Sequence, residues 1–302
     1  MPPRRFRKFV ALALLCAFVS TSIANASDLT GEHTQPKAAA PLPFEPTEQL
    51  VYEGEFSKLL LRGIKIAELR FTAGRTPEAK TGDATAATDA SKSAAAATLL
   101  FTGDVESKGW FRKLFGINFR FHAESTVAPD SFNIMRTTKT DEQGKRVRTS
   151  EAVFDRAGNK IEWTERDPND AQRPPRVVTS PLEGASHDII SALYFLRTQP
   201  LAPGKTFDLV VSDSGAVYHI PAKVVAEKKK MKSVIGKASV VRIDIDLFGE
   251  GRPVEGKGKM SLWVTNDDRR LPLRAKLSND MGTLEINLKS VNKTPDMVAA
   301  AQ

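Results

Sequence analysis

The strongest constraint on the fold is a two-residue period of hydrophobicity toward the C-terminal end of the chain. In the run VVRIDIDLF, residues 240–248, apolar side chains at every second position alternate with an arginine and two aspartates. The runs 259–264, 271–277 and 284–289 repeat this division. Because successive side chains of a β-strand point to opposite faces, each run predicts a strand with one apolar and one polar face.

The polar faces decide the kind of sheet. Strands of a buried parallel sheet are apolar almost throughout, whereas an antiparallel sheet can face water on one side. Turn signals, such as NDD at 266–268 and NDMG at 279–282, separate the runs at hairpin spacing. The chain holds about a dozen strand candidates, and an open sheet of more than about ten strands curls. We therefore predict a mainly β protein whose large antiparallel sheet forms a half-barrel or a barrel.

One segment departs from the two-residue period. Residues 184–200, GASHDIISALYFLRTQP, carry apolar side chains at helical spacing and end at a proline. We predict Ser186 as the N-cap, Asp188 in the first turn and Arg197 at the C-terminal end of the helix dipole. The apolar stripe consists of Ile189, Ile190, Leu193 and Leu196. One helix packed on the concave face covers only part of such a sheet, so either the barrel closes or a cavity remains.

The first 26 residues have the three parts of an export signal. A basic segment precedes an apolar stretch at 9–19 and the small-residue cleavage site Ala24-Asn25-Ala26. The apolar stretch is too short to span a membrane. Cys16, the one cysteine, follows Leu15, where a lipoprotein signal has a small residue, so lipid attachment is the less favoured interpretation. We predict a periplasmic protein, exported through a cleaved signal peptide, with no transmembrane segment in its mature part.

Composition divides the rest of the chain. Residues 27–48 are rich in Pro, Ala and Thr, which predicts a flexible lead-in. Residues 49–292 predict a single β-rich domain, interrupted at 74–97 by an alanine-rich, disordered insertion within a hairpin. Residues 293–302 predict a flexible tail.

The charge distribution does not favour nucleic-acid binding. The formal charge of +8 falls to +4 once the four cations of the first 26 residues are removed. The one run of cations, Lys228-Lys229-Lys230 with Lys232, is predicted to lie in a solvated turn. We predict no nucleic-acid partner.

Candidate catalytic residues are few. His187 and Asp188 are adjacent, and adjacent helical residues point about 100° apart, so they cannot act as a base and its orienting carboxylate. We expect Asp188 to stabilise the helix N-terminus and His187 to be exposed in the first turn. His122 and His219 lie on polar strand faces, and no histidine spacing matches a metal site. We predict no catalytic residue, no metal site and no cofactor.

An aromatic segment at 108–121, KGWFRKLFGINFRF, precedes one of the strands. Its residues Trp110, Phe111 and Phe115 lie next to several cations. Two roles are open for it. It either plugs one end of the barrel, or forms an amphipathic rim that touches lipid or admits an apolar ligand.

Motifs spread over residues 50–291 resemble those of an exported bacterial family known as domain of unknown function 3108. They are VYEG at 51–54, VAPDSF at 127–132, DIISALYFLR at 188–197, LAPG at 201–204, LWVTND at 262–267 and LPL at 271–273. The resemblance implies export and a β-rich fold, and it brings no catalytic residue. A curled sheet with an inserted helix is similar in turn to periplasmic lipoprotein-carrier half-barrels, which hold acyl chains.

These observations favour a non-enzymatic protein that binds an apolar or amphipathic envelope component, a lipid or acyl chain, with the helix as a partial lid. The predicted lining residues are Phe119, Phe121, Ile190, Leu193, Leu262, Leu284 and Ile286, with Trp110, Phe111 and Phe115 at the rim. The alternative is an envelope-assembly protein that has a packed core and binds a protein partner through its sheet surface. An enzyme of unknown class is the third hypothesis.

Overall fold

The computed structural model describes residues 42–76, 98–109 and 118–293. The strands before the helix are β1 (Glu48–Lys58), β2 (Leu61–Arg75), β3 (Leu99–Ser107), β4 (Phe119–Val127), β5 (Ile134–Gln143), β6 (Arg146–Asp155), β7 (Lys160–Arg166) and β8 (Arg176–Pro181). The helix is α1 (Ile189–Thr198). The strands after it are β9 (Thr206–Asp213), β10 (Ala216–Ser233), β11 (Gly236–Ile245), β12 (Gly258–Thr265), β13 (Pro272–Asn279) and β14 (Gly282–Lys293). Within these residues, the predicted mainly β fold with one main helix is confirmed.

The strands form one 14-stranded antiparallel sheet, where the sequence predicts about a dozen strands. Nearly every strand pairs with its neighbours in the chain, and β1 also pairs with β14. The two ends of the sheet are β8 and β9, which do not pair with each other. They approach near the β9–β10 turn, where the hydroxyl of Ser180 donates a hydrogen bond to the Gly215 carbonyl at 3.2 Å. Of the two predicted forms, the open half-barrel is therefore the one observed.

The predicted alternation of faces is confirmed in β12, β13 and β14. Leu262, Ala275 and Ile286 lie opposite one another across these strands and belong to the apolar interior. On the other face Lys276 lies opposite Glu285, and their side chains form an ion pair at 3.3 Å. The two-residue period thus separates a concave apolar face from a charged outer face.

Asp188, rather than the predicted Ser186, is the N-cap of α1. Its carboxylate Oδ1 accepts a hydrogen bond from the Ser191 amide at 2.7 Å, and the Ser191 hydroxyl accepts one from the Asp188 amide at 3.0 Å. The Ser186 hydroxyl instead donates to the Glu183 carbonyl at 2.6 Å. Both serine and aspartate are good N-caps. Asp188 is the better N-cap here because its carboxylate also accepts hydrogen bonds from hydroxyl groups of the sheet.

The helix lies inside the curled sheet and divides its interior into two apolar clusters. Ile190 and Tyr194 pack toward β3, β4 and β7, whereas Ala192 and Leu196 pack toward the C-terminal strands. Gly103 of β3 permits this approach, because a Cβ at that position would lie 2.8 Å from the Cδ1 of Ile190. The helix is therefore a central element of the core.

Two further predictions need correction. The lysine-rich stretch that contains Lys229, Lys230 and Lys232 belongs to β10, because the pairing with β11 continues to Ser233 and the turn comes after it. The end of the expected flexible lead-in is ordered, since Phe44 is buried against aromatic rings of the core.

Several predicted features lie outside the described residues. They are the signal peptide, most of the lead-in, residues 77–97 of the insertion, the tail after 293, and Trp110, Phe111 and Phe115 of the rim. The strands that flank the insertion do pair as a hairpin, with Arg75 of β2 opposite Leu99 of β3. That part of the prediction is confirmed.

Candidate functional site

A cavity of about 190 Å³ lies between α1 and the concave face of the sheet. Its walls are almost wholly apolar. The helix contributes Ile189, Ala192, Leu193 and Leu196, and the sheet contributes Tyr52, Leu69, Phe71, Leu209, Val211, Ile220, Ile245, Met260, Leu262, Ala275, Leu277 and Ile286, among others. The cavity exceeds the roughly 150 Å³ apolar void that accepts benzene, and it is smaller than the roughly 300 Å³ at which drug-sized pockets begin. It has room for a short apolar segment.

Three of the predicted lining residues face the cavity: Leu193, Leu262 and Ile286. Phe119 and Leu284 are buried in the adjoining core. Ile190 lies on the opposite side of α1, in the other apolar cluster. Phe121 is half-buried and packs against both clusters without lining the cavity.

The sequence analysis missed the contribution of the first two strands. Tyr52 of β1 and Leu69 and Phe71 of β2 line the cavity because β1 pairs with β14 and brings the N-terminal hairpin to the C-terminal strands. Their two-residue period is visible in the sequence. The pairing of the first strand with the last is not.

The polar groups at the cavity wall are all engaged elsewhere. The Tyr52 hydroxyl donates a hydrogen bond to the Pro272 carbonyl at 2.9 Å, and burial raises the pKa of Tyr52 well above its usual value. Asp213 forms an ion pair with Lys139. The Arg274 Nε donates to the Asn287 side-chain oxygen at 2.7 Å. The surface presented to a guest is therefore almost wholly carbon.

The start of α1 is fixed by a buried carboxylate. Besides capping the helix, Asp188 accepts hydrogen bonds from the hydroxyls of Ser125 in β4 and Thr137 in β5, the latter at 2.7 Å. These bonds attach the helix to the middle of the N-terminal half of the sheet.

The end of α1 is fixed by a buried cation. Arg197 is 0% exposed and forms a two-pronged ion pair with Glu48 of β1, at 2.5 Å and 3.2 Å. Its guanidinium also donates to the carbonyls of Pro43 and Arg269, at 2.9 Å and 3.0 Å. The wall that α1 gives to the cavity is thus held at both of its ends.

His187 is buried, which contradicts the predicted exposure in the first turn. It is 1% exposed, and its backbone pairs with the edge strand β9 through hydrogen bonds to Val210 and Ser212. Its ring packs 4.2 Å from that of Phe195, and neither ring nitrogen has a hydrogen-bond partner among the described residues. Burial lowers the pKa of His187 to about 4, against the opposing influence of Asp188. His187 is a neutral residue of the core at neutral pH.

We expect the free energy of unfolding to fall when the pH drops below about 6.5, where the unfolded state takes up a proton on His187. The folded state takes up that proton only near pH 4. Acid therefore favours unfolding between these two values, and the loss between about pH 7 and about pH 4.5 is roughly 2–3 kcal/mol. Urea unfolding at the two pH values measures it.

His187→Phe is the matched control for this acid effect, because phenylalanine suits the aromatic surroundings and does not titrate. Surface carboxylates titrate alike in both proteins, so the difference between their pH profiles isolates the histidine. Equal loss of stability in the two proteins would show that the buried imidazole is not the cause.

His122 and His219 lie on the outer face of the sheet, as predicted, and each contacts two carboxylates. His219 binds Asp208 through Nδ1 at 2.5 Å and Glu183 through Nε2 at 2.7 Å, and these hydrogen bonds raise the pKa of His219. Since the carboxylates occupy opposite ring nitrogens, they cannot converge on one metal ion. Asp104 and Glu124 flank His122 in the same way.

The fold and cavity define a class of protein: an open, curled antiparallel sheet with an internal helix and an apolar cavity beneath that helix. The chain belongs to the family described as protein of unknown function (DUF3108), whose model matches residues 69–289. The resemblance noted in the sequence is confirmed. No curated protein matches the chain.

Two solved structures are similar to this chain. A Brucella abortus protein, described as a beta-barrel-like protein of domain of unknown function DUF1849, has a TM-score of 0.50 and 10% identity over 82% of this chain and 97% of its own. A Parabacteroides distasonis protein, described as a putative lipoprotein, has a TM-score of 0.29 and 6% identity over 83% and 98%. The first likeness supports the barrel-like fold.

Among the described residues, no helix has the length and apolar character needed to cross a membrane.

Proposed function

We propose that this protein is a periplasmic, non-enzymatic carrier or receptor for an apolar chain, such as the acyl chain of an envelope lipid. The observation that supports the proposal is the apolar cavity between α1 and the sheet. The helix would serve as a partial lid over the bound chain. The export signal predicted for the first 26 residues supports the periplasmic location.

The cavity wall favours an apolar guest over a polar one. A polar group that entered would lose its hydrogen bonds to water and find carbon in their place, because Tyr52, Asp213 and Arg274 are already engaged. A methylene group, in contrast, gains about 0.8 kcal/mol when it leaves water. The volume of about 190 Å³ suits a short stretch of acyl chain rather than a bulky ring system.

The rival hypotheses have less support. An assembly protein with a packed core needs no space beneath α1, so that hypothesis does not account for the apolar cavity of about 190 Å³ found there. An enzyme would need reactive groups that face its substrate. His122 and His219 lie on the outer face, and His187 packs against Phe195 in the core.

We expect the protein to bind a fluorescent fatty acid, and we expect Ala275→Phe to weaken that binding by about tenfold or more. Ala275 lines the cavity, so a phenyl ring there would occupy the space of the guest. Titration of the probe into purified protein measures the affinity. Leu193→Trp, which fills the cavity from the helix side, serves as a second filling variant if Ala275→Phe unfolds.

The matched control is Lys276→Phe, which adds the same ring to the outer face of the same strand. It should leave probe binding unchanged. Absence of probe binding by the unmodified protein would contradict the proposal, as would full binding by both filling variants when their unfolding midpoints show that they are folded.

A further inference from the structure

We propose that the tip of the β1–β2 hairpin docks the protein on an anionic lipid bilayer. Three consecutive leucines occupy this tip: Leu59 is 87% exposed, Leu60 97% and Leu61 47%. Single exposed apolar side chains are common on soluble proteins, but contiguous apolar surface marks a site of interaction. Nothing in the proposed cavity function requires this surface, so the two proposals can fail separately.

The backbone presents the leucines outward. Lys58 pairs with Leu61, which leaves Leu59 and Leu60 as the two turn residues. Leu59 has a φ of 50°, in the left-handed region that favours glycine. The Gly63 amide donates to the Ser57 hydroxyl at 2.9 Å across the turn. A leucine thus occupies a turn position that glycine adopts more easily, and most of its side chain faces solvent.

Cations flank the apolar tip on both sides. Lys58 and Arg62 are exposed, and neither forms an ion pair within the described ranges. Lys65 follows on the same hairpin, where it pairs with Glu53 at 2.9 Å. An exposed apolar tip flanked by basic residues suits the bilayer interface. There, leucine side chains enter the acyl boundary, and lysine or arginine side chains attract anionic head groups.

The shape of the tip favours a bilayer over a protein partner. A protein partner for a convex apolar tip must supply a matching pocket, whereas a bilayer accepts a protruding tip without one. The location is also suitable. Phe56, two residues before Lys58, lies opposite Leu284, which lies opposite the cavity residue Leu277. The docked hairpin would therefore bring the adjacent end of the cavity toward the lipid.

The test is flotation of the purified full chain, its N-terminus determined by mass spectrometry, with vesicles of phosphatidylethanolamine and phosphatidylglycerol. We expect Leu59→Ser with Leu60→Ser to weaken binding by about tenfold or more, because two side chains lose their burial in the acyl boundary. Lys58→Gln with Arg62→Gln should weaken binding to these vesicles and reduce its dependence on salt. Phosphatidylcholine vesicles should bind the unmodified protein less.

The β10–β11 turn supplies the matched control. Val234 and Ile235 are 49% and 38% exposed and lie near lysines. Because the strands are antiparallel, the β10–β11 turn lies at the strand ends opposite those that form the β1–β2 tip. Val234→Ser with Ile235→Ser should leave vesicle binding intact. Loss of binding in this variant but not in the leucine variant would overturn the proposal. So would absence of vesicle binding by the unmodified protein.

A second readout separates this proposal from the cavity. The Leu59 and Leu60 variant should still bind the fluorescent fatty acid in solution, and Ala275→Phe should still bind vesicles. Loss of vesicle binding in Ala275→Phe with an unchanged unfolding midpoint would mean that bound chain, rather than the hairpin tip, attaches the protein to lipid.

Discussion

Replacing Arg197 by methionine is expected to lower the free energy of unfolding by about 3–5 kcal/mol. The guanidinium is fully buried and satisfies both oxygens of Glu48, together with the carbonyls of Pro43 and Arg269. It also lies 5.3 Å from the ring centre of Phe44. Without it, a buried carboxylate and two carbonyls remain unsatisfied. Urea unfolding of the two proteins measures the loss.

The double variant Glu48→Leu with Arg197→Met tests the cause. Removing both charges leaves no unpaired ion, so the double variant should regain most of the stability lost in the single one. If the double variant is as unstable as Arg197→Met, the loss comes from the two unsatisfied carbonyls and the packing around the methionine rather than from the orphaned carboxylate.

Asp188→Ala is expected to cost about 3–4 kcal/mol, which combines a lost helix cap with buried hydroxyls left without an acceptor. The carboxylate accepts hydrogen bonds from the Ser191 amide and from the hydroxyls of Ser125 and Thr137. Because these bonds attach α1 to the sheet, the variant should also bind the fatty-acid probe less tightly. Urea unfolding and probe titration measure the two effects.

Asp188→Asn is the conservative control. The amide oxygen can still cap the helix, and the hydroxyls can rotate to accept from its NH₂ group, so the cost should be about half that of the alanine variant. A loss below about 1 kcal/mol in Asp188→Ala would show that this carboxylate does not hold the start of the helix.

The sequence predicted the sheet well because the two-residue period assigns faces without knowledge of the tertiary structure. Leu262 and Ile286 were placed on the concave face for this reason, and both line the cavity. Leu284 has the same period but lies in the filled part of the core. Periodicity shows which face of the sheet a side chain occupies but not what packs against it. It therefore cannot distinguish a residue that lines a cavity from one in the packed core.

The helix shows the limit of local patterns most clearly. Its stripe predicted that both Ile190 and Leu193 line one cavity, but an internal helix has apolar neighbours on two sides, and Ile190 faces the other cluster. Arg197 and its partner Glu48 are 149 residues apart in the chain, and no local sequence signal connects them. His187 is buried because its backbone pairs with β9, a contact that depends on where the sheet ends.

Anomalous diffraction from crystals grown with a fatty acid brominated near its methyl end tests the central claim most directly. We predict a bromine peak between α1 and strands β12 to β14, within contact distance of Leu193, Leu262 and Ile286. Bromine bound only on the outer face of the sheet, with the space beneath α1 unoccupied, would contradict the account.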